Sequence, residues 1–227
     1  MLTALALSLS LAIADPATYL KPLVTEMQKQ WPTNRAVNIV FHGHSVPAGY
    51  AATPHVDTFN AYPHLTHVGL KDRFPFAVIN VIVTAIGGEN SVAGEKRFKH
   101  DVLPLHPDLL CIDYGLNDRG VPLDQSKAAW VSMVKAAKAE GIKVLLFTPT
   151  PDLSAKMLDA SDPLSKQAAQ IRQIASDEQV GLVDSYARFC ELLTAGKPMD
   201  PYMAQVNHPN RKGHDEVTKL ILQWFPG

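Results

Sequence analysis

The sequence predicts an α/β fold, a three-layer α/β/α domain around a central, mostly parallel five-stranded sheet, and three observations predict it. Five short runs rich in Val, Ile and Leu recur, at 37–41, 77–86, 109–114, 144–148 and 180–184. They are nearly continuous in apolar residues instead of alternating, as expected for parallel strands covered on both faces. Stretches of helical character separate them, the alternation of a doubly wound sheet.

Each element has a local reason. Residues 1–14, MLTALALSLSLAIA, are almost wholly apolar or small and end in Ala12-Ile13-Ala14 before Asp15. That ending is an A-x-A-like cleavage site, so the segment reads as a signal peptide, although it has no Lys or Arg beyond the amino terminus. A helical core segment is the alternative. A helix is predicted over 16–31, before the first strand. The Pro-, His- and Thr-rich stretch 47–67 is the longest predicted loop, placed where loops shape binding sites. Helices are predicted over 64–74 and 91–102, on either side of the second strand. Leu109-Leu110-Cys111-Ile112 reads as a buried central strand. The helix over 124–140 is closed by Gly141, and that over 163–179 opens on Asp162-Pro163, a cap before a proline at the first helical position. A last helix covers 211–224. Two cysteines make no disulfide framework, so Cys111 and Cys190, the latter in a helical stretch, read as buried free thiols.

The 227 residues, without repeat or linker, suit one domain over 15–227. Lys and Arg number 21 against 22 Asp and Glu, a formal charge of -1, so no basic face for nucleic acid is implied. A neutral or carbohydrate-like ligand suits this balance better. No apolar run after residue 14 is long enough to span a bilayer, so no stable membrane insertion is expected once the signal is removed. Secreted or periplasmic localisation follows.

Four stretches fall where a strand gives way to a loop or a loop enters a helix: His42-Gly43-His44-Ser45, Gly87-Gly88-Glu89-Asn90, Gly115-Leu116-Asn117-Asp118 and Asn207-His208-Pro209-Asn210. Together they can supply a hydroxyl beside an imidazole and N–H donors for a developing oxyanion. Singly each has a bland reading. Most serines at such turns cap helices, and Gly87-Gly88 alone is a turn. Asn117 alone is an Asx turn, with Asp118 bracing the loop. His208 is one of nine histidines. The first three follow successive strands, and therefore belong at one carboxyl edge of the sheet, where ligands bind in open parallel sheets. His208 reaches that edge only if the chain returns over the first strand's neighbourhood.

In this order the four stretches resemble the four blocks of the SGNH hydrolase (GDSL-type esterase) superfamily, over nearly the whole chain from Val37 to the last helix. The resemblance implies a flavodoxin-like fold and catalysis by Ser45 as nucleophile and His208 as base, with an oxyanion hole of the Ser45 and Gly88 N–H groups and the Asn117 amide. It favours Gly88 over Gly87 because Ala85-Ile86-Gly87-Gly88-Glu89 fits the family's small-apolar-small-Gly-polar run. It implies no cofactor.

Two departures stand out. The family's block one usually reads Gly-Asp-Ser, whereas here it reads Gly43-His44-Ser45. The family usually has an aspartate three residues before its histidine, and here that position is Gln205. The orienting group for His208 is then Gln205, a backbone carbonyl giving a Ser-His dyad, or Asp200; Asp184 is a further acid, read as structural. The clustered His42, His44, His55, His64 and His67 raise a metal site as a weaker reading, because their spacings match no His-Glu-x-x-His arrangement.

The function expected is a secreted serine esterase cleaving small carboxylic esters through an acyl-enzyme, with O-acetyl groups on carbohydrate favoured over long-chain lipid. The alternatives are a non-catalytic carbohydrate-binding relative and a lysophospholipase- or thioesterase-type acyl hydrolase.

Overall fold

The structure, a computed structural model, describes residues 14–227. The predicted signal segment lies outside the described residues except for Ala14. Five strands, β1 (Ala36–Gly43), β2 (Val78–Val83), β3 (Leu109–Asp113), β4 (Lys143–Phe147) and β5 (Gly181–Val183), form one sheet in the order β2-β1-β3-β4-β5. Every pairing in it is parallel.

Side chains alternate across this sheet into two cores, which is why the strands read as continuous apolar runs. Val37, Ile39 and Phe41 join Leu109, Cys111, Leu145 and Phe147 on one face. There they meet α1 (Lys21–Met27), α3 (Tyr62–Arg73), α8 (Ser185–Thr194) and α9 (Arg211–Leu222). Val40, Leu110, Ile112, Val144 and Leu146 face the other way, against α4 (Ser91–Asp101), α6 (Leu123–Ala139) and α7 (Pro163–Glu178). This is the three-layer α/β/α arrangement expected.

The chain leaves β1 for β2 at one edge and then crosses to β3 on the other side of β1. The winding reverses there, at the carboxyl ends of β1 and β3, the place where ligands bind in open parallel sheets. Two four-residue helices, α2 (Ser45–Ala48) and α5 (Gly115–Asp118), open directly from those two strand ends.

Several boundaries differ from expectation. The first helix covers only Lys21–Met27, because the Asp15 carboxylate accepts from Ala17 N–H and the Thr18 hydroxyl and makes residues 16–20 a chain of turns. β2 stops at Val83, although Thr84 and Ile86 still donate backbone N–H groups to Phe41 and Gly43 as the chain runs on along β1. A small antiparallel hairpin, β6 (Met203–Gln205) and β7 (His208–Pro209), stands before α9 where sequence suggested a plain loop. Both cysteines are free; Cys111 is buried and Cys190 half-buried. Among the described residues no helix is long and apolar enough to cross a membrane.

Candidate active site

The register of β1 on β3 sets Gly43 opposite Asp113. A Cβ at residue 43 would lie 2.4 Å from the Asp113 carbonyl oxygen and 2.8 Å from Pro47 Cγ, so only glycine lets the strands stay this close. His44 is extended, and Ser45 opens α2 with the Val46 N–H donating to His44 Nδ1 at 3.2 Å. Gly49, at φ 94°, ends that turn with its N–H on the Ser45 carbonyl. Ser45 is thereby held on a tight strand-to-helix turn.

His208 arrives from the far end of the chain. Asn210 caps α9, its Oδ1 accepting from Lys212 and Gly213 N–H, while its Nδ2 donates to the Pro201 and Met203 carbonyls. Gly213 is required at close range, since a Cβ there would lie 2.4 Å from the Tyr202 carbonyl oxygen. The short hairpin so fixed, together with α9 packed on α3, brings the chain back over the end of β1. His208 Nε2 lies 2.9 Å from Ser45 Oγ.

On the other side of the ring, Nδ1 lies 3.0 Å from the Ala51 carbonyl oxygen and 2.7 Å from Gln205 Nε2. Gln205 Oε1 is engaged by the Thr53 N–H at 2.9 Å, which turns the amide nitrogen toward the imidazole. A carbonyl can only accept, so the Ala51 contact favours the tautomer protonated at Nδ1, with a lone pair on Nε2 for the serine proton, whereas the Gln205 amide N–H can only donate and favours the other. Burial holds the His208 pKa below its ordinary value, with the Ala51 carbonyl acting in the opposite sense and His44 nearby lowering it slightly. Asp200 is exposed in a turn before β6 and takes no part in the contacts of His208. Asp184 accepts from Thr148, Ala187 and Arg172, an architectural role at the end of β5.

Gly88 and Asn117 stand at the same edge. Gly88 has φ 79° with open space where a Cβ would be, so its peptide faces solvent in a conformation suited to glycine. Asn117 Nδ2 donates one N–H to the Glu89 carbonyl at 2.8 Å, which ties the two loops together and leaves the amide its second N–H. Asp118 accepts from Ser91 N–H at 2.8 Å and Trp130 Nε1 at 2.7 Å, bracing both loops from below. The Glu89 carboxylate is gripped by Arg97 and accepts from Tyr114 Oη at 3.0 Å, and that hydroxyl lies 3.1 Å from His42 Nε2. His42 is thus absorbed in a buried network, and desolvation pushes its pKa down to about 4.

The other clustered histidines scatter: His64 packs edge-on to Phe59, and His55 is exposed. Among the described residues no three His, Cys, Asp or Glu side chains converge as metal ligands would.

The sequence model of the GDSL-like lipase/acylhydrolase family matches residues 41–216, from the end of β1 into α9. The chain belongs to that family. As a GDSL-like acylhydrolase it is a carboxylic ester hydrolase, and the matched span contains all four stretches described above. Curated proteins offer no match to it. Solved structures do, at identities that speak to fold alone. A two-domain esterase active on acetylated mannans superposes with TM-score 0.73 at 20% identity, over 91% of this chain and 52% of that one. This acylhydrolase therefore spans about half the length of that relative. An acetylxylan esterase from Geobacillus stearothermophilus gives 0.71 at 22% identity, over 84% and 94% of the two chains. The acetyl xylan esterase AlAXEase gives 0.69 at 22%, over 82% and 98%.

Sequence reasoning left open which group meets His208 Nδ1 and missed Asp113 beside His44. The Ala51 carbonyl has no sequence signature. Asp113 does: a lone carboxylate closing an otherwise apolar buried strand, next to the point where the winding reverses.

Proposed function

We propose that this acylhydrolase is a serine esterase that cleaves short acyl esters, O-acetyl groups on carbohydrate being the substrate class, through an acyl-enzyme. The observation that carries the reading is the 2.9 Å contact of His208 Nε2 with Ser45 Oγ, with a backbone carbonyl on the opposite ring nitrogen. Ser45 attacks the ester carbonyl as His208 takes its proton, and His208 then returns that proton to the departing alkoxide. The Ser45 and Gly88 N–H groups and the free N–H of Asn117 hold the oxyanion. Water, activated by His208, releases the carboxylic acid. The acetylated-polysaccharide esterases among the structural neighbours support an acetylated sugar as substrate. The near-neutral charge supports it too. Residues 1–14 direct export, and 15–227 form the mature single domain.

The test is hydrolysis of p-nitrophenyl acetate, its longer-chain homologues and acetylated xylo- and manno-oligosaccharides, by wild type, Ser45→Ala and His208→Ala, with and without chelator. We expect activity on acetyl esters that falls at least about 1,000-fold in either variant, indifferent to chelator, with a serine-directed phosphonate labelling Ser45. Turnover that survives Ser45→Ala refutes the serine mechanism. A preference for long acyl chains refutes the acetyl-ester assignment and favours a lipid substrate.

A further inference from the structure

Two buried groups, one beside the nucleophile and one behind it, are not used by the mechanism above. His44 and Asp113 are almost wholly buried. Among the described residues, His44 Nε2 and Asp113 Oδ1 have no hydrogen-bond partner of ordinary geometry, and they face each other at 3.3 Å. The second carboxylate oxygen, Oδ2, accepts from Tyr62 Oη at 2.8 Å, and the Tyr62 backbone N–H is itself held by His214 Nδ1 at 3.2 Å. Across the imidazole, His44 Nδ1 accepts the Val46 N–H and lies 3.5 Å from Ser45 Oγ. An accepting Nδ1 puts the ring proton on Nε2, toward Asp113. Buried polar atoms seldom go unpaired, and the 3.3 Å contact joins these two.

The position of His44 gives the pair a task. It is the N-cap of α2, the turn that presents Ser45. N-caps are ordinarily Ser, Thr, Asp or Asn, whose oxygens accept a backbone N–H whatever lies behind them. An imidazole accepts through Nδ1 in only one of its neutral tautomers, so a histidine cap needs something to choose that tautomer.

We propose that Asp113 and His44 are a positioning pair for the nucleophile: Asp113 keeps the His44 proton on Nε2, and His44 thereby holds the Ser45 turn through the Val46 N–H. The proposal rests on Ser45 being the nucleophile. It sets the serine between two imidazoles of opposite tautomer, each turning an unprotonated nitrogen toward it. His208, 0.6 Å nearer, takes the proton, because the His44 lone pair is already engaged by Val46.

The experiment is a kinetic comparison on p-nitrophenyl acetate of Asp113→Ala in two backgrounds, wild type and His44→Asn, with histidine 15N NMR of the wild-type protein alongside. Asparagine caps without choosing a tautomer. In the wild-type background Asp113→Ala should lower kcat about 10- to 100-fold with KM nearly unchanged, the cost of a misplaced nucleophile. In the His44→Asn background the same substitution should change kcat less than about threefold. An equal loss in both backgrounds overturns the proposal, since a purely structural Asp113 would cost the same in each. The wild-type spectrum decides independently of whether the variants fold: His44 must show a pyridine-type Nδ1 and a pyrrole-type Nε2, and the reverse pattern overturns the proposal. Ser45→Ala separates the two ideas, because full activity in that variant sinks the nucleophile reading whatever tautomer His44 shows.

Discussion

Replacing Gln205 with glutamate exchanges one nitrogen for one oxygen at the most sensitive point of the site. Gln205 Nε2 and the Ala51 carbonyl both approach His208 Nδ1, at 2.7 and 3.0 Å. The first is a donor and the second an acceptor, so they call for opposite tautomers. The tautomer that Gln205 favours carries its proton on Nε2 and cannot accept one from Ser45. In Gln205→Glu, Oε1 keeps the Thr53 N–H, and the new oxygen replaces the nitrogen facing the ring. Both neighbours of Nδ1 then accept. An anion and an imidazolium with charge centres about 4 Å apart attract by about 4 kcal/mol at an effective dielectric of about 20. Gln205 is half-buried and its amide also donates to Asn207 Oδ1 at 3.1 Å, a contact the glutamate forgoes. Solvent screening and that loss leave about 1 to 3 kcal/mol for the charged ring. That corresponds to about a 10- to 100-fold rise in kcat and to a His208 pKa higher by about one to two pH units. Aspartate, a methylene shorter, gives up the Thr53 anchor and gains less. The assay is steady-state hydrolysis of p-nitrophenyl acetate from about pH 4 to about pH 9. A folded Gln205→Glu enzyme with unchanged or lower kcat and an unmoved acid limb refutes the reasoning.

Two further predictions concern pH. Burial lowers the His208 pKa and the base must be neutral, so kcat/KM of the wild type should climb from acid through a midpoint below about 6.5 and stay level above it; a midpoint above 6.5 contradicts this. Desolvation also pushes His42 to about 4 and His214 to about 3. Below about 6.5 the unfolded chain therefore takes up protons that the native state refuses, and each histidine costs about 1.4 kcal/mol of stability per pH unit as pH falls, down to its native value. Urea unfolding at about pH 7.5 and about pH 5 should differ by about 4 kcal/mol from these two residues, and His214→Asn should shrink that difference by about half.

The fold was legible because its signals are local. Each of the five strands overlaps its predicted run, β1 extending it at both ends and β4 starting one residue early, and the cap at Asp162-Pro163 does start α7, with Asp162 accepting from Leu164 N–H. The differences come where particular side-chain contacts decide. Nothing periodic in 203–209 announces a hairpin of two- and three-residue strands, which the Asn210 side chain and the Tyr202 carbonyl hold together. The first helix was overestimated because a helix-compatible pattern over 16–31 does not reveal the Asp15 turn. In the site, Ser45, Gly88, Asn117 and His208 could be named through the resemblance to the family's four blocks, each standing at a strand end or beside a cap. The partners of His208 Nδ1 and of His44 could not, since one is a main-chain oxygen and the other was hidden in an apolar strand. Asp200 was a candidate only by proximity in sequence, and the chain turns it outward.

Ser45 and His208 are separated by 163 residues, and the packing of α9 on α3 helps bring them together. A chain truncated before β7 would therefore carry the Ser45 hydroxyl without the His208 imidazole. On the proposed mechanism, hydrolytic activity therefore reports the docking of α9 as well as the folding of the sheet.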